Sequence, residues 1–157
     1  MLSEQERTDI DTEISHAPAK RMTTIEALRI VQRERGWVSD EAVKDIAEYL
    51  EMTPDEVDSV ATFYNMIFRQ PVGKHVIFVC ESISCWVMGY EGIRQKLEQK
   101  LGIKAGETTK DGMFTILPVD CLGACNRAPV MVVDEKLHGN LGEGDIDKIL
   151  DDIRREG

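Results

Sequence analysis

The four cysteines of this 157-residue chain have a spacing that could hold a metal centre. Cys80 and Cys85 form a C-x4-C pair, and after 35 intervening residues Cys121 and Cys125 form a C-x3-C pair. Thiolates are ligands of both zinc and iron–sulfur centres. Two close pairs suit a rhombic [2Fe–2S] cluster, because each of its two irons needs two terminal thiolates besides the bridging sulfides. The spacing therefore favours a cluster that takes all four cysteines as ligands.

Structural zinc is the main alternative for such a set of cysteines. Zinc sites are typically built from C-x2-C or C-x2–4-C hooks, so the observed spacings are allowed but not typical. A thioredoxin-type dithiol is not expected, because the chain has no C-x-x-C motif. A Rieske site needs two histidines paired with two cysteines, and only His75 lies near the first pair. Spacing alone thus leaves the iron–sulfur cluster and a structural zinc both open.

Residues next to the cysteines indicate how the two ligand loops are built. Gly123 lies between the second pair, where it would let backbone amides approach the sulfurs without a side chain intervening. Arg127 is the only basic residue of the second loop, and its charge would favour the reduced, more negative form of a cluster. Trp86, next to Cys85, would either shield the centre from water or simply pack.

The composition limits the class of protein and of partner. The chain is 42% apolar and 31% charged, as is typical of globular proteins, and its net charge is −10. That charge argues against nucleic acid or an anionic membrane as a partner, because both bind basic surfaces. The polar start is unlike a signal peptide, and no apolar run is long enough to span a bilayer. We therefore expect a cytoplasmic chain with reduced cysteines, which favours metal ligation over disulfides.

Helical patterns fill the first part of the chain. Possible N-cap residues precede four amphipathic stretches, and at Ser3, Thr23 and Thr53 a glutamate three residues later completes a capping box. Ser39 begins the third stretch, and Gly36 ends the second. The apolar residues of the fourth stretch, at i, i+3, i+4 and i+7, extend to Tyr64. This pattern predicts a helical bundle domain over residues 1–71.

From residue 72 the pattern becomes one of strands alternating with helices, which predicts a second domain over 72–157. We predict a strand from His75 to Val79 that leads into Cys80, and another that ends just before Cys121. The other predicted elements are a helix over 86–101, a strand over 130–133, a possible strand over 137–141 and a helix over 143–155. The order β-α-β-β-α, with a ligand loop after the first strand, is a thioredoxin-like arrangement. The fold class is therefore predicted to be α+β.

Several motifs together carry a resemblance to a known family. The stretch DGMFTILPVDCLGACNRAP (residues 111–129) resembles the signature of the small [2Fe–2S] subunit of the NADH dehydrogenase module of respiratory complex I, the 24-kDa subunit family. The similarity extends to RGWV (35–38), to VATFY (60–64) and to the first cysteine pair. It runs from about residue 20 to the C-terminal helix and shows no departure at a ligand position.

The resemblance implies fold, cofactor and partners. In the family, a helical N-terminal domain precedes a thioredoxin-like ferredoxin domain with one [2Fe–2S] cluster. By resemblance, Cys80 and Cys85 would hold one iron, and Cys121 and Cys125 the other. The subunit clamps onto a larger one that binds FMN and NADH, and its cluster can accept one electron from the flavin. The implied setting is the peripheral arm of a membrane-bound complex at the cytoplasmic face, with no direct membrane insertion and no nucleic acid.

The resemblance makes the chain a subunit of an enzyme, NADH:quinone oxidoreductase. By itself it contains no dinucleotide fingerprint, phosphate loop or nucleophile–base constellation, so no complete active site is expected. Similar subunits occur in NAD-dependent hydrogenases and formate dehydrogenases, so a subunit of one of these enzymes is the first alternative function. A zinc-stabilised adaptor without a redox role is the second.

Overall fold

Four α-helices occupy the first part of the computed structural model, which describes residues 1–156. The chain separates into two compact units, of which the first is Met1–Pro71 and the second begins at Val72. A short 3₁₀ helix, Lys20–Thr23, leads directly into the second α-helix of the first unit. The α-helices of this unit are Glu4–His16 (α1), Thr24–Arg35 (α2), Asp40–Leu50 (α3) and Pro54–Phe63 (α4).

The N-terminal caps explain where most of these helices begin. Ser3 and Glu6 form the predicted capping box of α1, since each side chain accepts the other's backbone N–H. Thr53 starts α4 in the same way. The box predicted at Thr23 is wrong, because its hydroxyl donates instead to the carbonyl of Lys20. There the preceding 3₁₀ turn already provides hydrogen-bond partners for backbone groups that a cap residue would otherwise satisfy.

The apolar faces of the four helices meet in one core. Its fully buried members include Leu28 of α2, Ile46 of α3 and Val57 of α4. The apolar face predicted for the fourth helix extends to Tyr64, which is one residue too far. α4 ends at Phe63, and Tyr64 is 42% exposed. The helical bundle is therefore confirmed, but its last turn leaves aromatic side chains at the surface.

One ion pair of the bundle is buried. The Glu6 side chain is only 2% exposed and accepts two hydrogen bonds from the Arg35 guanidinium, at 2.6 and 2.7 Å. The same carboxylate accepts the Ser3 backbone N–H at 2.7 Å. These hydrogen bonds, chiefly those from Arg35, hold the pKa of Glu6 below its ordinary value. Glu6 thus joins α1 to the end of α2.

The second unit contains a mixed sheet of four strands in the order β2-β1-β3-β4. β1 runs parallel to β2, with Cys80 opposite Val119, and antiparallel to β3. β2 is an edge strand, which explains why it tolerates the exposed Pro118 that cannot donate a ladder hydrogen bond. The strands are His75–Cys80 (β1), Phe114–Val119 (β2), Met131–Val133 (β3) and Lys136–His138 (β4).

The helices of the second unit differ from the prediction at one place. The single helix expected over 86–101 is two helices, because Gly89 adopts a left-handed conformation with φ +91° between them. The last strand is shorter than predicted and begins one residue earlier. These helices are Ile83–Val87 (α5), Tyr90–Leu101 (α6) and Glu143–Glu156 (α7).

The helices α6 and α7 pack against the sheet through a second apolar core. Its members include Ile77 of β1, Ile116 of β2, Leu97 of α6 and Ile146 of α7. No helix in residues 1–156 is long and apolar enough to cross a membrane. A helical bundle followed by a mixed sheet with helices confirms the predicted α+β class.

Candidate metal centre

Parallel strands bring the two cysteine pairs to the same end of the sheet. Cys80 is the last residue of β1, and Cys85 lies in the short helix α5 that follows. Cys121 comes two residues after the end of β2, and Cys125 begins a 3₁₀ turn. Because β1 and β2 are hydrogen-bonded parallel neighbours, their carboxyl ends lie together and so do the loops that leave them. All four cysteines are free thiols.

The four thiols lie near one another. Cys85 lies beside Cys80 and near Cys125, while Cys121 lies beside Cys125 and Cys80. Residues 1–156 contain no group of three or more His, Cys, Asp or Glu side chains that could hold one metal ion. A rhombic [2Fe–2S] cluster instead takes two thiolates at each of two irons. Two adjacent pairs of thiols fit that requirement.

The second ligand loop stabilises a thiolate. The backbone N–H of Gly123 donates to Sγ of Cys121 at 3.3 Å, and this hydrogen bond is the main reason that the pKa of Cys121 is lowered. Gly123 has φ +71°, and a Cβ built on it would meet no atom within 4 Å. A glycine is therefore favoured here because of the left-handed backbone conformation that directs its N–H toward Cys121, and not because a side chain would lack space.

The first pair of cysteines lies on the buried side of the site. Cys80 and Cys85 are each 1% exposed, and they pack with Ala128 and Val130 in a small apolar cluster. Burial, assisted by the neighbouring Cys80, raises the pKa of the Cys85 thiol to about 11. Cys121 and Cys125, by contrast, are exposed. The site thus has an apolar inner side and a side that is open to solvent.

Sequence reasoning missed residues that support the loops. A Cβ on Gly139 would lie 2.7 Å from Cβ of Arg127, and the next amide, that of Asn140, donates to the Arg127 carbonyl at 2.5 Å. The side chain of Ser82 lies near the Cys121 thiol and helps to lower its pKa. These contacts join segments that are distant in sequence, so spacing does not reveal them. The Gly139-Asn140 dipeptide is the only local signal, since it is typical of a turn.

An apolar surface surrounds Cys85 on the solvent side. In and after α5, four large apolar side chains are 55–70% exposed. They are Ile83, Trp86, Val87 and Met88. Trp86 is 55% exposed, so the chain itself does not bury its ring. Such a patch is typical of a surface that binds another protein.

The chain is similar to known [2Fe-2S] proteins over most of its length. The family model of the thioredoxin-like [2Fe-2S] ferredoxin matches residues 10–154. The E subunit of NADH-quinone oxidoreductase from Pseudomonas aeruginosa is 46% identical over 151 residues, covering 96% of this chain and 91% of that protein. The corresponding protein of Escherichia coli K12 is 49% identical over 150 residues, covering 96% and 90%.

Solved structures show a similar fold. The crystal structure of an NAD⁺-reducing [NiFe]-hydrogenase in the air-oxidized state has a TM-score of 0.73, with 19% identity. The similarity covers 85% of this chain and 23% of the hydrogenase chain. At this identity the likeness concerns the fold alone.

Proposed function

Since the chain belongs to the thioredoxin-like [2Fe-2S] ferredoxin family, together with the E subunit of NADH-quinone oxidoreductase, we propose that Cys80, Cys85, Cys121 and Cys125 hold one [2Fe–2S] cluster. The function is electron transfer within an NADH-quinone oxidoreductase, of which this chain is a subunit. Membership of the family confirms the resemblance noted from the motifs. The observation that carries the ligand assignment is the convergence of four free thiols in the segments that follow two parallel, neighbouring strands.

The chain's own residues define how such a site works. When bound, a [2Fe–2S] cluster accepts and returns one electron at a time. Cys80 and Cys85 would hold one iron from the buried side of the site, and Cys121 and Cys125 would hold the other from the exposed side. The amide of Gly123 donates to the Cys121 sulfur, which stabilises negative charge there. Buried Ala128 and Val130 keep water away from the inner pair.

The cluster would exchange single electrons with the FMN of the NADH-binding subunit of the same complex. FMN and NADH belong to that partner and not to this chain. The exposed apolar patch formed by Ile83, Trp86, Val87 and Met88 supports this proposal, because it adjoins the buried ligand Cys85 and its own chain does not cover it. A partner that docks there also excludes water near the cluster. Further subunits of the peripheral arm complete the assembly at the cytoplasmic face of the membrane.

The helical unit serves mainly to dock onto the partner subunit. A groove of about 470 Å³ lies on its surface beside the end of α4. Phe63 is 79% exposed and Met22 64% exposed at this groove, and Met52 and Val60 also line it. Apolar grooves of this kind bind apolar segments of other proteins. The acidic balance of the unit, 15 acidic against 8 basic residues over 1–71, favours a partner segment with basic flanks.

Spectroscopy and ligand replacement test the proposed site. Protein purified without oxygen should contain about two irons and two sulfides per chain and give a reduced-state EPR signal. Serine in place of any of the four cysteines should abolish the cluster or alter its spectrum. A wild-type EPR signal in one variant would remove that cysteine from the site. Zinc in place of iron in the native protein would instead support the zinc-stabilised adaptor.

Co-purification distinguishes the parent complexes. The relatives at 46–49% identity favour NADH-quinone oxidoreductase, whereas the hydrogenase likeness at 19% concerns only the fold. An affinity-tagged chain should therefore bring down an FMN-containing, NADH-oxidising partner that passes electrons to quinone. Recovery of a hydrogenase or formate dehydrogenase subunit in its place would refute the assignment to NADH-quinone oxidoreductase and leave the cluster assignment intact.

A further inference from the structure

Tyr90 connects the cysteine site to the interior of the second unit. It is the first residue of α6 and is half-buried. Its side chain packs against the main core, which includes Ile93, and also against the small apolar cluster that contains Cys80 and Cys85. The ring therefore packs on the buried, apolar side of the site.

Arg94 covers the ring of Tyr90 one helical turn later. Its guanidinium carbon lies 5.9 Å from the ring centroid, which is the geometry of a cation–π contact. Helical side chains lean toward the helix N-terminus, so residue i+4 is placed over residue i. Arg94 thus points its charge toward the end of α6 at which the cysteines lie.

The charge of Arg94 is poorly compensated. Its Nε atom is buried and has no hydrogen-bond partner, and no ion pair in residues 1–156 includes this side chain. The next acidic residue on α6, Glu98, lies near enough to attract this charge, but its direct ion pair is with Lys104 at 3.1 Å. A buried N–H without a partner destabilises the fold, so the arginine is favoured at this position only if its charge serves another purpose. A cluster that gains negative charge on reduction is such a purpose.

We propose that Arg94, held by the ring of Tyr90, raises the reduction potential of the cluster from the inner side of the site. Both are positioning residues, since neither touches an iron. The pair acts only if the four cysteines hold the cluster, so the inference rests on the proposed function. A cation close to the site stabilises the reduced state, with one more negative charge, more than the oxidised state. Because Nε is buried, salt screens this effect less than it screens that of an exposed arginine.

The chain offers a matched control for this pair. The guanidinium carbon of Arg154 lies 5.7 Å from the ring centroid of Phe114 in the same unit. Phe114 belongs to the main core and not to the small cluster around Cys80 and Cys85. Arg154→Gln therefore removes the same charge from the same type of contact, but away from the cysteines.

A redox titration of the purified, cluster-containing full chain, followed by EPR, tests the inference. We expect Arg94→Gln to lower the equilibrium constant for reduction about tenfold, which is about 59 mV for one electron. The shift should persist at high salt, and Arg154→Gln should retain the wild-type potential. A wild-type potential in Arg94→Gln, or an equal shift in Arg154→Gln, would overturn the inference.

Tyr90→Leu provides a second, independent variant. Without the ring, Arg94 is free to turn to solvent, so the potential should fall in the same direction. The potential of the Tyr90→Leu/Arg94→Gln double variant should be no lower than that of Arg94→Gln alone, because both substitutions remove the same effect of the Arg94 charge. If Arg94→Gln fails to assemble, a wild-type potential in Tyr90→Leu overturns the inference by itself. A wild-type protein without any cluster signal would refute the proposed function instead, so the two failures are distinguishable.

Discussion

Replacement of Glu6 by glutamine should destabilise the helical unit strongly. The change keeps the shape of the side chain but removes the charge that pairs with Arg35. In the native structure that carboxylate is 2% exposed and accepts two hydrogen bonds from Arg35 and one from the Ser3 amide. Removing one partner of a buried ion pair typically costs about 3–5 kcal/mol, because it leaves the other charge uncompensated. Arg35 keeps some solvent contact, at 31% exposure, so we expect about 2–3 kcal/mol.

The neighbouring pair Arg33–Asp9 is a matched control. It joins the same two helices at 2.5 Å, but Arg33 is 60% exposed. Surface pairs of this kind contribute at most about 1 kcal/mol. Asp9→Asn should therefore cost less than about 1 kcal/mol under the same conditions, and the difference between the two variants measures the effect of burial.

Denaturant unfolding followed by tryptophan fluorescence measures these free energies. In a Trp86→Phe background, Trp37 is the sole tryptophan and reports on the helical unit. The unfolding midpoint of Glu6→Gln should fall far below that of Asp9→Asn. Equal losses in the two variants would refute the argument that burial of Glu6 makes its pair strong.

The loss caused by Glu6→Gln should also depend on pH. The pKa of Glu6 is below its ordinary value of 4.5 in the folded chain, mainly because of the hydrogen bonds from Arg35. A carboxyl with a lowered pKa contributes its full stability above the pKa of the unfolded chain and loses it as the pH falls through the folded pKa. The gap between wild type and Glu6→Gln should thus be constant at neutral pH and shrink below about pH 4.

Three further variants test the site and the units. Arg127→Gln should lower the reduction potential of the cluster by an amount on the order of tens of millivolts. Because Arg127 is exposed, this shift should become smaller as the salt concentration rises. An unchanged midpoint potential, both in the free chain and in the complex, would exclude this role for Arg127. Gly139→Ala should increase the rate at which the cluster is lost, because the added Cβ would lie 2.7 Å from Cβ of Arg127. Gly144→Ala is the control, since a Cβ there would meet no atom within 4 Å and should leave the rate unchanged. Equal rates of cluster loss in the two variants would contradict this prediction. A chain truncated to residues 72–157 should keep its cluster but bind the FMN-containing partner far more weakly, and undiminished binding would refute docking by the helical unit.

Local sequence determined most of the secondary structure. The capping boxes at Ser3 and Thr53 and the terminating glycine at Gly36 predicted helix ends correctly, because the groups that satisfy a helix end lie within four residues of it. The same type of motif failed at Thr23, where a preceding 3₁₀ turn competed for the hydroxyl. The break at Gly89 was missed because periodicity alone does not report a left-handed residue.

The cysteine spacing and the family motifs by themselves indicated the kind of centre and its four candidate ligands. Only the tertiary structure decided which side of the site is buried and which is open, because that depends on contacts between distant segments. Cys80 and Cys85 pack with residues near 128–130, and the exposed surface of α5 is apolar, which the sequence did not indicate. The contacts of Tyr90 with both cores and the burial of Glu6 have the same origin. Spacing along the chain specifies which atoms can bind a metal, whereas desolvation and charge are set by the neighbours that folding brings together.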